Sequence, residues 1–500
     1  MKKSGLFFVI ISFLVLSLAG VSYGWQGRMA GMGDPYGLVQ DESDFLIHPA
    51  GIANGKGINF YGGYRFNYTD VGDWNITLTY SNPGNFTQYP FKNSGDEFKH
   101  EGLLGAVFPL GPGRMGVLFE YQGRRGEYDG TENQFGTFGS SDYTFNLKNP
   151  LDAFSLRVLY GFPVMGMDVG FDLGLDYKNE KNKSSFLATN LSPYTENYIW
   201  GLNVPERALR LFMIPYDSNY WEFLWKLGMG KKFDCFDINA TLRGSYIISA
   251  DNKYQYIYQA PLGSNDYDAS IDGDVKGYRI GFDVWVRAKL REGLTLPFIL
   301  SIDSGTKKRD GEGIGAGNTD SGLSYEYQHK EKELSFKFGG GLEKKLAGNT
   351  LVAGGLYYNY IKNSDSIWFT RTGSPPADDS GFPSHREHQF MLRLLGEKDL
   401  SPLLALRMGL NIFYSFVRES YNHFDGFSPT DFSLDGSRWG IGASMGGTVK
   451  FQRFSVEPFL AGGYQKLNLN GDGSFLPTLI DASKIRKEWS IGGGFSVKFN

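Results

Sequence analysis

From residue 58 to its end the chain keeps returning to one pattern, in which every second side chain is apolar over nine to fifteen residues and turn chemistry follows. The clearest pair runs Phe154, Leu156, Val158, Tyr160, Phe162, then Pro163 to Gly166, then Met167, Val169, Phe171, Leu173, Leu175, Tyr177. Asp168, Gly170, Asp172, Gly174 and Asp176 fill the alternate positions, so one face is oily and the other strongly polar. Tyr278 to Leu290 repeats this with Arg279, Asp283, Arg287 and Lys289 on the polar face, and Leu404 to Phe416 repeats it with Arg407. Chains written this way form strands whose two faces meet different surroundings.

Alternation alone leaves the sign open, because a soluble sandwich turns its apolar face inward. Three features point outward, to lipid. The strands are long enough to cross a bilayer at a tilt, which takes about 9 to 11 residues. The connections alternate between seven short turns and eight long polar loops, which together join sixteen strands. The final strand ends in an aromatic residue, Phe499, one position before the last. Short inner turns, long outer loops and an even-stranded meander are the mark of bacterial outer-membrane barrels. The expected fold is therefore an all-β transmembrane antiparallel barrel of about 14 to 16 strands over residues 58–500, closed because lipid offers backbone groups no partner. A mean hydropathy of -0.31 suits this, since lipid-facing and lumen-facing residues cancel in the average. Tyr160, Phe162, Tyr177, Trp285 and Trp489 near strand ends suit aromatic girdles. Pro297 and Pro458 interrupt the ladders, as local bulges or as a lateral exit.

Residues 1–24 read as a cleavable export signal: Met1-Lys2-Lys3, an apolar run from Leu6 to Ala19, and small residues at Ser22 and Gly24. The expected destination is the outer membrane of a Gram-negative cell, with outer-membrane lipid, lipopolysaccharide and the barrel-assembly machinery as partners. A formal charge of -4 provides no basic footprint for nucleic acid. One cysteine, Cys235, rules out a disulfide scaffold.

Residues 25–57 lack a strand period and precede the first strand, where a segment can fold into the lumen as a plug. They contain Gly31-Met32-Gly33, an acidic stretch from Gln40 to Asp44, and His48-Pro49-Ala50-Gly51. This opening resembles that of the FadL-type outer-membrane transporters of long-chain fatty acids and other hydrophobic compounds, and of their PorV-like relatives. Those proteins have Asn where His48 stands, and a barrel of fourteen strands. The resemblance implies a hatch that plugs the barrel, capture of a hydrophobic ligand at an outer groove, and passive passage through the lumen. An apolar loop stretch from Val204 to Ile214, including Leu209, Leu211, Phe212 and Ile214, suits such a groove or a helix packed on the barrel rim.

Candidate chemistry is sparse. His385 and His388 have H-x-x-H spacing without a helix to align them, and the acidic glycine-rich loops Asp266–Asp274 and Asn470–Gly473 do not fit a calcium loop. No enzyme, cofactor or metal site is expected. Asp168, Asp172, Asp176, Arg279, Asp283, Arg287 and Arg407 are expected to line the lumen, either as a satisfied network or as a polar pore lining. The expected function is passive transport of hydrophobic small molecules; a porin-like channel for polar solutes and a secretion-accessory barrel resembling PorV are the alternatives.

Overall fold

The computed structural model describes residues 27–499, apart from 33–37, 40, 83–84, 137–138, 190–215, 260–265, 292, 317–320, 372–378, 382–383, 425–428 and 476–477. Among the described residues eighteen strands run β1 (Asn59–Asn82), β2 (Asn85–Leu110), β3 (Gly113–Gly136), β4 (Gly139–Lys148), β5 (Leu151–Val164), β6 (Met167–Thr189), β7 (Tyr216–Lys232), β8 (Phe236–Gln259) and β9 (Asp266–Arg291). They continue as β10 (Leu294–Gly315), β11 (Ser324–Leu346), β12 (Thr350–Arg371), β13 (Asp379–Gly381), β14 (Ser384–Ser401), β15 (Leu404–Phe424), β16 (Pro429–Lys450), β17 (Phe454–Phe475) and β18 (Thr478–Phe499). β4 and β5 share one place in the wall, both lying between β3 and β6 and parted only by Asn149-Pro150. β13 and β14 likewise share the place between β12 and β15. Sixteen wall positions result, all antiparallel, and the sheet closes where β1 pairs with β18, Phe60 opposite Phe499.

Burial settles which face meets lipid. Leu156, Leu173, Ile280, Leu406, Met408 and Ile491 point outward and are exposed, whereas Arg157, Asp172, Asp283, Arg287 and Arg407 are buried inside. This reverses the order of a water-soluble sheet and defines a transmembrane barrel. Aromatic clusters flank the apolar band. Toward the long hairpins the tilted rings of Tyr177 and Trp221 lie 5.1 Å apart and those of Tyr464 and Trp489 4.4 Å apart, and Phe451 and Phe454 stack at 4.4 Å at the short-turn end. Trp285 departs from the girdle expectation. It sits on the inner face of β9 among Arg279, Asp283 and Arg287, and is 7% exposed.

All seven expected short turns are present; Met165-Gly166, with φ of 49° and 73°, is the two-residue type that suits the twist of the strands it joins. Among the described residues, the eight long loops are mostly strand. Strands reach 26 residues in β2 and β9, because backbone ladders continue past the membrane and form long hairpins. In the first hairpin Trp74, Ile76, Leu78 and Tyr80 alternate and mark the extension, whereas stretches such as 178–185 are polar on both faces and show no apolar periodicity; exposed cross-strand pairs such as Arg418–Asp435 accompany the hairpins.

Pro297 pairs with Arg287 of β9, but the β10–β11 ladder skips from Thr295–Glu343 to Phe298–Gly340. Pro458 pairs with Phe495 of β18, while the β16–β17 ladder skips from Gly446–Phe459 to Val449–Val456. Both interruptions lie near the short-turn end and face the side that lacks a proline N–H.

Candidate functional site

The buried apolar core lies inside the barrel, between its wall and the N-terminal segment. This segment comprises a helical turn (Gly27–Gly31) and two 3-10 turns (Glu42–Leu46 and Pro49–Asn54). Phe45, Leu46 and Ile52 pack on Tyr61, Leu103, Val107, Leu118 and Leu159. On the other side, Met29, Met32, Leu38 and Val39 pack on Trp285, Ile299, Leu351, Tyr357 and Leu395. Glycines on the inner wall make room for it. A Cβ on Gly170 would run into the Pro49 carbonyl, one on Gly161 into Ile52, and one on Gly409 into the Met32 carbonyl.

Charged groups fasten the segment at several places. Arg28 donates to Glu397 at 2.8 and 2.9 Å and to Asp41 at 2.9 Å, and its backbone N–H donates to Glu457 at 3.1 Å. Glu397 also accepts from Arg407 at 2.5 Å, which continues to Glu457 at 3.4 Å, so one ionic chain joins the segment to β14, β15 and β17. On the opposite wall the Leu46 carbonyl, at the end of its 3-10 turn, accepts from Arg157 at 3.0 Å and Lys226 at 2.6 Å. The Leu38 carbonyl accepts from Arg287 at 3.2 Å, and Arg287 also holds Glu343 at 2.5 Å. Burial opposes charge on Arg28, yet Glu397 and Asp41 raise its guanidinium above the ordinary value. Burial, then the neighbouring Asp41 carboxylate, pushes the Asp44 carboxyl up to about 8. Burial holds the His48 imidazole down at about 4.

The residues expected in the plug motif are partly brought together. His48 Nδ1 lies 2.5 Å from the Thr241 hydroxyl, Pro49 and Ala50 are buried against Gly170 and Gly228, and the Gly51 N–H donates to the His48 carbonyl at 3.0 Å. Gly31 ends the helical turn, and Gly33 lies outside the described residues. Leu209, Leu211, Phe212 and Ile214 also lie outside them. The seven expected lumen residues all face inward on the strand alternation. Asp168 accepts from Asn54 at 2.6 Å, Asp172 meets Arg157 and Lys226, Asp176 lies 4.0 Å from Lys178, Arg279 pairs with Glu333, and Asp283 pairs with Arg243. His385 and His388 stand on opposite faces of β14. His385 faces Glu387 and Glu419, and His388 meets the Tyr358 hydroxyl outside at 2.8 Å, so the spacing makes no two-imidazole site. Arg28, Arg157, Lys226, Glu397 and Glu457 were not foreseen. Their only signal was a charge at an inward position of an alternating strand, or, for Arg28, within the plug.

Among the described residues the lumen contains three sizeable cavities. One of about 1100 Å³ lies at the short-turn end, bordered by Lys56, Asn59, Asp168, Asp237 and Lys345. Two smaller ones, about 400 and 440 Å³, lie on the hairpin side, the first against Leu46, Ile47 and Arg157, the second against Tyr220, Lys307, His329 and Asp365.

Fold and site together define a sixteen-stranded transmembrane barrel whose lumen holds its own N-terminal segment. No model of a protein family matches the sequence, and no curated protein matches it. Among solved structures it is similar to a Pseudomonas aeruginosa FadL homologue, at 11% identity, 96% of this chain, 98% of that one and a TM-score of 0.43. It is also similar to the Pseudomonas putida toluene transporter TodX (10%, 93% and 94%, 0.39) and the Ralstonia pickettii toluene transporter TbuX (9%, 94% and 97%, 0.36).

Proposed function

We propose that this chain is an outer-membrane barrel that passively carries hydrophobic small molecules past an N-terminal plug. The observation that carries the reading is the N-terminal segment fixed across the lumen at the short-turn end, where Arg28 and Leu46 tie it to opposite walls. A lumen filled in this way restricts free diffusion of water and ions, which a transporter of hydrophobic compounds tolerates and a general pore does not. The two ladder interruptions support passage beside the plug. Leu38 packs against Gly341 next to the β10–β11 gap, and Arg28 bonds Glu457 next to Pro458. The short-turn end then faces the periplasm and the long hairpins face outward, as in other bacterial barrels.

The charged lining of the two hairpin-side cavities favours a second reading, a channel for small polar solutes. Proteoliposomes separate the two. The first reading expects the intact protein to speed entry of a hydrophobic fluorescent probe and leave sugar-driven swelling at the level of empty vesicles. Swelling in sugars without probe uptake would replace it with the second.

A further inference from the structure

On six neighbouring wall positions, β9 to β15, the first charged side chain above the outward apolar band is basic. Lys276 follows Tyr278, Lys362 follows Tyr360, Arg386 follows His388 and Arg418 follows Phe416 along the outward positions of their strands. The register sets these cations directly beside one another. Lys308 stands opposite both Lys276 and Lys330, and Arg386 stands opposite both Lys362 and Arg418. Like charges opposite each other destabilise a ladder, so such rows call for an anion from outside.

At the edges the chain supplies one: Asp274 lies 3.3 Å from Lys276, Asp310 2.9 Å from Lys308, and Asp435 holds Arg418 at 2.5 Å. In the middle it does not. Lys330, Lys332, Lys362 and Arg386 form no ion pair among the described residues. The outward positions around them, from Leu334 to Gln328, Tyr360 to Ser366 and His388 to Ser384, contain no carboxylate. Lys332 and Arg386 are exposed. Directly below lies bare apolar wall, with Phe338, Leu356 and Phe390 at 49%, 68% and 51% exposure. The other side of the barrel is different: outward Lys148 and Arg125 are paired with Glu127 and Asp152.

We propose that Lys330, Lys332, Lys362 and Arg386 dock the phosphate of an outer-leaflet lipid, whose acyl chains lie along Phe338, Leu356 and Phe390. Charge complementarity selects the headgroup, and continuity with the apolar band selects a lipid over a free anion. The site rests on the membrane placement but not on what the lumen carries.

The test is native mass spectrometry of the full chain with diphosphorylated lipid A, with the same lipid stripped of phosphate, and with inorganic phosphate as competitor. Wild type is expected to retain the phosphorylated form at least about tenfold over the stripped one, each cation near a charged headgroup contributing about 1 kcal/mol. K330Q/K332Q/K362Q/R386Q is expected to lose that preference, and K148Q/R125Q to keep it. Equal retention of both lipids, an unchanged fourfold variant, or full displacement by inorganic phosphate would overturn the proposal. Heat-modifiable migration reports folding separately, and K362Q/R386Q serves if the fourfold variant does not fold. A chain that folds but does not enter vesicles would count against the membrane placement instead.

Discussion

The lumen at the short-turn end and the outer face of the hairpins manage charge in opposite ways. At the short-turn end, ions are drawn inward around a packed segment: Arg28, Glu397, Arg407 and Glu457 form one partly buried chain with little solvent access. At the hairpin end, pairs such as Arg418–Asp435 and Lys148–Glu127 stand in water, with half or more of each side chain exposed in the first. A pair held away from water is expensive to break, because the survivor is left without a partner, whereas an exposed pair is replaced by solvent. The inner network can therefore act as a fastening, while the outer pairs accompany ladders that the backbone already holds.

The largest expected effect comes from filling the space the segment occupies. Gly170→Val places a side chain on the Pro49 carbonyl, and Gly409→Val does the same to Met32. Together they should expel the segment, raise ion conductance several-fold and expose residues 27–57 to protease, while heat-modifiable migration of the barrel stays normal. Retained protease resistance would show that the segment and wall do not depend on this fit.

Next comes the fastening itself. Arg28→Ala leaves Glu397 with Arg407 alone and should weaken docking by about 2 kcal/mol, the low end for truncating a hydrogen-bonded charge pair. Faster nicking of the segment measures this. The matching outer variant, Arg418→Ala, should leave nicking and thermal migration unchanged; equal effects from the two would erase the contrast between the ends.

A smaller effect is pH-dependent. Asp44 has a docked pKa of about 8 against 3.8 when free, so docking loses stability as pH rises from about 4 to about 8. His48 has a docked pKa of about 4 against 6.5, so its contribution is lost as pH falls through the same lower range. The two slopes oppose each other between about pH 4 and 6.5, leaving Asp44 alone to loosen the segment from about 6.5 to 8. Protease sensitivity should rise over that window in the wild type and stay flat in Asp44→Asn. A rise in both would assign the change to another group.

Much of the wall was legible because alternation and turn chemistry are local. The seven short turns, the sixteen positions and the inward lumen charges all follow from residues close in sequence. Strand length was legible in the first hairpin, where Trp74, Ile76, Leu78 and Tyr80 alternate, but not where stretches such as 178–185 put polar residues on both faces and leave no period to read. Parity, not its aromatic ring, decides the place of Trp285: it shares the inner face with Asp283 and Arg287. The Arg28–Glu397 contact spans 369 residues and carries no local signal at all. Only closure of the barrel brings those two charges together.

Single-channel recording in planar bilayers, comparing the full chain with one lacking residues 27–57, bears most directly on the plug. A plugged lumen gives no steady conductance from the full chain and a stable open current from the deletion. The same steady current from both would contradict it.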